Sequence, residues 1–471
     1  MTDVLVIGAG VSGMACAHAL VQGGVTVTVL EAASRPGGVV GTMNADGFLF
    51  ECGPNTVQAG SRTFRELCGD LGVADELIVS RPEAKLRYLF HRGHLRALPT
   101  GPGSFLFSPL LSIRAKLAIL TEPLRRRRPT PEGETEPSFE AFLEERIGRE
   151  ATRTLAGAFV RGVYAAEVDQ LGARSAFPRL FAMVQEHGGL VRGMFGTRRA
   201  RRGKPPSAPV AGPRAARTDL LSFPTGLERF VTAMADALGE RLRLSCPVRT
   251  LQPDGPAWVA MLEGGERVSA RRVVLAAPAG PTADLLQGAV SGAVDLAPLA
   301  DLEHAAVTVV HLGLESAPLP QGFGFLVPPD ETGPAAPRAL GVLFVSNIFP
   351  GRAPAGSSAV SAVYRSTDLE ARDESGLVAQ TVRDLALAGV VSDPRVVVSR
   401  SQSWEAVIPR YGVGHAERMQ TLVGSLAQHH PSLHLAGTYL DGVSVEECLT
   451  RGRRIGRELA ASVEPTKEAV A

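Results

Sequence analysis

The 471-residue sequence predicts an α/β protein with α+β insertions. Three observations predict it. The first 31 residues read as strand, glycine turn, helix and strand, a βαβ unit. The last 75 residues repeat that style, so the two chain ends share one domain and the middle is inserted. Between them the composition shifts to proline-containing helical stretches and then returns to strand-like runs. Together these specify a Rossmann-type nucleotide-binding domain with an interleaved mixed-sheet domain and a helical insert.

The elements follow in order. Residues 3–7 are a short apolar run bounded by glycine, Met14–Val21 favours helix, and Val25–Leu30 is β-branched and ends at Glu31. Residues 63–72 put Phe64, Leu67 and Leu71 on one helical face. Residues 97–122 mix apolar side chains with Pro99, Pro102 and Pro109. Arg125–Arg128 and a loop over 129–137 follow, then a helical region over 138–196 with Phe139, Phe142, Leu143 and Ile147 at helical spacing. Residues 198–217 form a basic linker; from His187 to Thr218 there are eight Lys/Arg and no acid, which reads as a solvated loop. Strands are predicted over 242–250, 257–262, Val273–Ala277, 305–314, 340–348, Val396–Ser403 and Leu433–Ala436, and a last helix over 446–462. The nucleotide-binding domain is then 1–80, 218–282 and 404–471, the mixed-sheet substrate domain 81–96 and 283–403, and the insert 97–217.

Composition narrows the function. Hydrophobic residues at 45% and charged residues at 21% are ordinary for a globular chain and exclude a mainly disordered one. A net charge of +1 gives no global attraction to nucleic acid. Only Lys85, Lys116, Lys204 and Lys467 are lysines, so arginine supplies 45 of the 49 cations. Five scattered cysteines form no CxxC pair, and ten histidines form no HxH or HExxH, so no metal site is expected; His429-His430 reads as a solvated helix end. A strand-like run directly after Met-Thr-Asp predicts no signal peptide, and no uninterrupted run of 18 apolar residues occurs. A cytoplasmic protein with reduced thiols is expected.

Gly8-Ala9-Gly10-Val11-Ser12-Gly13 is a GxGxxG between the first strand and helix. Gly8 permits the turn, Gly10 lets a pyrophosphate approach the backbone, Gly13 lets helix pack on strand, and the helix N-terminus faces the phosphates. Glu31, 23 residues after Gly8, ends the second strand where a carboxylate accepts ribose hydroxyls, which argues against a 2′-phosphate. Ala32 and then Arg35-Pro36-Gly37-Gly38-Val39 follow. An Arg-x-Gly-Gly at this offset is similar to FAD enzymes of the amine-oxidase type, and it selects FAD over NAD.

Further motifs extend the likeness. Phe50-Glu51-Cys52-Gly53-Pro54-Asn55-Thr56, Leu86-Arg87-Tyr88 with Ala97–Gly101, and Gly322–Pro328 come first. Trp404 with Ile408-Pro409-Arg410-Tyr411 and Gly414-His415 follows, then Gly437 and Gly442–Cys448. In this order they resemble the FAD-dependent protoporphyrinogen oxidases and their relatives, the coproporphyrinogen III oxidases. The chain departs from that pattern at Thr225-Gly226-Leu227-Glu228, where a second glycine is usual, and at Asn55, where some members carry Arg.

The resemblance implies a protoporphyrinogen IX oxidase of haem biosynthesis, with coproporphyrinogen III oxidase as the alternative. Three two-electron hydride transfers go to FAD, with O2 as final acceptor giving H2O2, and no catalytic side chain is assigned. It implies cofactor contacts at Gly8–Gly13, Glu31, Ala32, Arg35, Gly37, Gly38, Val39, Gly53, Pro54, Asn55, Thr56, Val248, Trp404, Gly437, Val443, Ser444 and Val445. It also implies substrate contacts at Arg87, for a propionate, and at Leu326, Leu343 and Ala362, for the macrocycle. Phe105, Leu106, Phe107, Leu110, Leu111 and Ile113 beside Arg114 and Arg125–Arg128 fit a monotopic contact with the inner face of the cell membrane. A homodimer is possible under this reading. The competing functions are a flavin amine oxidase or carotenoid desaturase, and a flavin-free binding protein like the GDP-dissociation inhibitors. No lysine in the strands at 305–315 or 340–365, and an intact RxGG, count against them.

Overall fold

The computed structural model describes residues 1–124, 135–193, 196, 211–290 and 292–462. Arg125–Arg128 and residues 198–210 of the basic linker lie outside the described residues.

The first seven-stranded sheet gathers its strands from both ends of the chain and from the middle. Thr2–Ile7 lies between Val27–Leu30 and Arg267–Leu275, parallel to both, and Leu433–Leu435 joins Val273–Leu275 in parallel. Antiparallel Val248–Asp254 and Ala257–Leu262 extend one edge, and Leu242–Arg243 the other. The central strands are apolar where both faces are covered, at Val4–Ile7 and Val273–Leu275. Helices Val11–Gln22, Glu228–Leu238 and Val445–Ser462 bury one face. Ala279–Gln287 and His415–His429 bury the other.

The second seven-stranded sheet runs in the order Arg395–Pro409, His304–Glu315, Ser357–Arg365, Gly341–Leu343, Gly324–Leu326, Tyr88–His91, His94–Ala97. Helix Glu374–Leu387 covers one face through Leu377 and Leu385 against Val310, Phe325, Val342 and Ala362. On the opposite face the hairpin Thr42–Ala45/Phe48–Glu51 sits at one end, packing Phe48 and Phe50 against Ala359 and Val398. The insert covers the other end through Ala158, Ala165 and Leu155. Between those covers Leu326, Leu343, Val363 and Trp404 stay partly exposed.

The structure departs from the sequence reading in places. The strand expected over 340–348 stops at Leu343, and Val345–Ile348 is one helical turn. The helical region 138–196 breaks at Gly148 (φ 79°), at Ala165 (left-handed, φ 47°) and before Pro178. Between the first two breaks Thr152–Gly157 is π-helical. Residues 97–122 hold two short helices, Pro102–Phe107 and Ile113–Leu120. Leu110 and Leu111 are buried, whereas Leu106 (51%), Phe107 (89%) and Ile113 (76%) are exposed. No described helix is long and apolar enough to cross a membrane.

Candidate functional site

The groove begins at the first glycine turn. Gly8 has φ +105°, and a Cβ there would lie 2.8 Å from the Ala276 backbone. A Cβ on Gly13 would lie 2.0 Å from the Gly8 carbonyl, so only glycine lets this helix seat on the turn. Gly10 differs: nothing lies within 4 Å of its ideal Cβ. That open space over bare backbone, beside a helix N-terminus with no side-chain cap, is the cradle a pyrophosphate requires. Val11 and Ser12 supply the first helical turn.

Glu31 closes the cradle. Its Oε2 accepts the Ala9 N–H at 2.7 Å and its Oε1 accepts the Ala33 N–H at 2.9 Å. Each carboxylate oxygen keeps a lone pair for a ribose hydroxyl. Exposed Ala32 sits between these contacts. The Glu31 backbone is held by Arg243 and Cys246, which brings the segment leading to Val248 alongside. Gly37 (φ 99°) bridges to Gly10 and donates to the Ala9 carbonyl at 2.8 Å. Arg35 turns inward, donating to the carbonyls of Val40 at 3.0 Å and Gly38 at 2.8 Å. It therefore braces the loop that carries Gly37, Gly38 and Val39.

The next loop is clamped at both flanks. Cys52 donates its N–H to the Gly41 carbonyl at 2.8 Å and accepts the Trp404 indole N–H on its own carbonyl at 3.0 Å. Gly53 crosses Val39 so closely that a Cβ would lie 2.3 Å from the Val39 carbonyl. Asn55 donates to the Gly53 carbonyl at 3.1 Å, shaping the turn with Pro54 and Thr56. From the far end of the chain, Gly437 precedes a short helix, and Gly442 (φ 141°) leads into Val443, Ser444 and Val445. Ser444 caps the last helix by accepting the Glu447 N–H at 3.2 Å. Burial pushes the Cys448 thiol up to about 11 and Cys16 up to about 12, so both stay protonated beside the groove.

Of the residues expected to contact substrate, Leu326 and Leu343 share the sheet face beside this groove and Ala362 does not. Antiparallel partners share a face, and the register pairs Leu343 with Ser361, Leu326 with Gly341, and Val342 with Ala362. Leu326 and Leu343 therefore face the groove. Ala362 points the other way, fully buried with Val310 under helix Glu374–Leu387. The expectation for Ala362 is off by one residue, and in a strand one residue reverses the face. Val363, the next residue, lies on the face that Leu326 and Leu343 share.

Arg87 adjoins the same face. Its carbonyl accepts the Leu98 N–H at 2.8 Å, and its guanidinium lies 5.0 Å from the Phe323 ring centroid. Phe323 packs beside Leu343. Loss of hydration pushes the Arg87 pKa down, and no carboxylate pairs with it among the described residues. Phe323 lies within the Gly322–Pro328 motif without being named as a contact, and Val363 reaches this face through cross-strand pairing, which no local pattern encodes. No group of three possible metal ligands occurs among the described residues.

A family model described as flavin-containing amine oxidoreductase matches residues 11–460. A chloroplastic protoporphyrinogen oxidase of Oryza sativa subsp. japonica is 29% identical, over 95% of this chain and 86% of its own length. A coproporphyrinogen III oxidase of Propionibacterium freudenreichii subsp. freudenreichii is 30% identical, over 97% of this chain and 90% of its own. Among solved structures, a candidate protoporphyrinogen oxidase of Exiguobacterium sp. 255-15 superposes with TM-score 0.80 at 22% identity, covering 98% of this chain and 99% of that one. The chain belongs to the flavin-containing amine oxidoreductase family and is an FAD-dependent oxidoreductase.

Proposed function

We propose that this flavin-containing oxidoreductase oxidises protoporphyrinogen IX to protoporphyrin IX. Bound FAD supplies a two-electron acceptor that takes hydride from a meso carbon. Three rounds remove six hydrogens, three as hydride from meso carbons and three as protons, two from pyrrole N–H groups and one from the remaining meso carbon, and we assign three O2 as the final acceptors, reduced to three H2O2. The chain's own residues bind and orient the macrocycle. Leu326, Leu343, Val363 and Phe323 offer an apolar wall, and Arg87 offers a fork for a propionate.

The observation that carries this reading is the unpaired Arg87 beside an apolar face. Arg87 is exposed and stacked on an aromatic ring at the rim of that face, which leaves its fork free for a carboxylate. Lysine chemistry is a poorer match. Lys85 pairs with Asp219 at 3.0 Å, Lys116 donates to the Leu106 carbonyl at 2.8 Å, and Lys204 and Lys467 lie outside the described residues.

Coproporphyrinogen III is the second reading, favoured by the bacterial relative of that name. A paired fluorescence assay in air separates the two, with FAD-loaded protein, each porphyrinogen and a no-enzyme control. Faster porphyrin formation from protoporphyrinogen IX is expected. A preference for coproporphyrinogen III moves the enzyme to the other substrate, and acceleration of neither rejects both.

We also propose a peripheral cytoplasmic membrane contact. Leu106, Phe107, Ile113, Leu117, Leu120 and Leu124 are all exposed on one stretch of the insert, with Arg114 and Lys116 among them. Co-sedimentation with anionic lipid vesicles that a Phe107→Ser/Ile113→Ser variant loses is the expected result. Equal recovery of both proteins in the supernatant would reject the contact.

A further inference from the structure

The edge of the second sheet next to Arg87 carries a second arginine on the same face. Leu89 pairs in parallel with Leu326 and antiparallel with Arg96, so all three share one face. The neighbouring pairs check this assignment. Phe90 and its partner Leu95 pack into the opposite core, under helix Glu374–Leu387. Leu89 and Leu98 pack with Leu326 against the insert. Arg87 is held to Leu98 by the last bond of the hairpin, which makes Arg87 and Arg96 diagonal cross-strand neighbours. Such neighbours have backbones roughly 7–8 Å apart.

Arg96 is partly buried yet makes no hydrogen bond or ion pair among the described residues. On the opposite edge of the sheet Arg395 pairs with Glu315, whereas exposed Arg400 bonds a backbone carbonyl. Two guanidiniums without carboxylate partners among the described residues thus lie on one face, beside partly exposed Leu98 and Leu326, while Leu89 between them is buried under the insert.

We infer that Arg96 is a second carboxylate-binding residue of the site, and that Arg87 and Arg96 together take two acid groups from one end of a single macrocyclic substrate. This rests on the porphyrinogen reading above and deepens it: the substrate enters with its acid-bearing edge toward the Tyr88–Ala97 hairpin. A ligand with one carboxylate, or with carboxylates on opposite edges only, engages one arginine and leaves the other bare. Each guanidinium can fork onto one carboxylate, and the hairpin fixes their spacing.

The test uses FAD-loaded protein and two non-reacting ligands, protoporphyrin IX and its dimethyl ester, followed by fluorescence titration. Wild type is expected to prefer the diacid. Arg87→Gln and Arg96→Gln are each expected to weaken diacid binding by about tenfold, the weight of one charge-assisted contact, and to leave the ester unchanged. Arg96→Lys should recover part of the loss, because charge is kept without the fork. FAD content and melting temperature should be unchanged in the Arg96 variants, since Arg96 holds nothing in place. Wild-type diacid affinity in Arg96→Gln overturns this inference and leaves the porphyrinogen reading standing. A wild type that binds neither ligand overturns both.

Discussion

At the scale of single residues, a titratable side chain buried without a full set of partners makes stability depend on pH. His311 is the instructive case. It is fully buried, its Nδ1 lies 2.7 Å from the Ser361 hydroxyl, and its ring stacks on Phe50 at 5.0 Å. Its Nε2 has no partner. Burial pushes the imidazole down from 6.5 to about 4, so folding requires the neutral ring. For a histidine with a lowered folded pKa, stability is fully present above the unfolded value and is lost as pH falls through the folded one. His311 should therefore cost stability between pH 6.5 and about 4, up to about 3 kcal/mol if the whole shift is expressed. His18, His304, His415 and His434 are shifted the same way, so the test is a difference. Denaturation curves of wild type and His311→Gln should converge as pH falls across that window. A constant offset would show that the ring does not titrate there. Nothing in the sequence around His311 foretold this role, because Ser361 and Phe50 reach it from strands 50 and 261 residues away.

At the scale of elements, close approach decides more than propensity does. The last helix, Val445–Ser462, lies against the first, Val11–Gln22, through glycines. A Cβ on Gly452 would lie 2.0 Å from the Ser12 carbonyl, and one on Gly456 would lie 2.4 Å from the Cys16 carbonyl. The first helix carries uncapped N-terminal N–H groups at the open cradle over Gly10, so binding at that cradle depends on its seat. Gly452→Val should force the helices apart, cost about 1–3 kcal/mol or more, and weaken FAD retention. Gly424→Ala, in helix His415–His429 where nothing lies within 4 Å, is the control and should be neutral or mildly stabilising. Retained FAD and stability in Gly452→Val would mean that the last helix is not a support. This pairing was half legible. The first βαβ unit and the last helix were readable because period and glycine turn are local signals. The Ser357–Arg365 strand and helices Glu374–Leu387 and His415–His429 were missed. The strand over 340–348 was overextended because Val342–Ile348 is apolar at most positions whichever structure it adopts. The expectation for Ala362 came from the resemblance and fell one residue off the open face, and a strand buried on both sides shows no alternation that could have corrected it.

At the scale of the whole molecule, the question is what holds a site assembled from distant segments of one chain. Motif order in the sequence was enough to name the segments, because each carries a glycine turn whose geometry is local. It could not show how they are tied together, since the ties are long-range polar contacts with no sequence signature. Glu51 and Arg352 are the central tie. Both are buried, at 2% and 1% exposure, and their charges approach to 3.5 Å. Glu51 also accepts the Leu227 N–H at 3.0 Å and the Thr42 hydroxyl at 2.8 Å. Arg352 donates to Ser222 Oγ at 2.7 Å and to the Phe223 carbonyl at 3.1 Å, while its own carbonyl accepts the Leu49 N–H at 3.1 Å. The pair thus joins the strand ahead of the Cys52–Thr56 loop, the Ser222–Leu227 segment and the substrate-side sheet. Removing one charge leaves the other buried and uncompensated, which costs about 3–5 kcal/mol. Glu51→Gln and Arg352→Met should each lose that much in chemical denaturation. The double variant should lose less than the sum, because neither charge is then stranded. FAD affinity should fall in the single variants along with stability, since the flavin-side loop is anchored through Glu51. Additive losses in the cycle would mean that the two side chains act independently, and the three segments would then be held together by apolar packing alone.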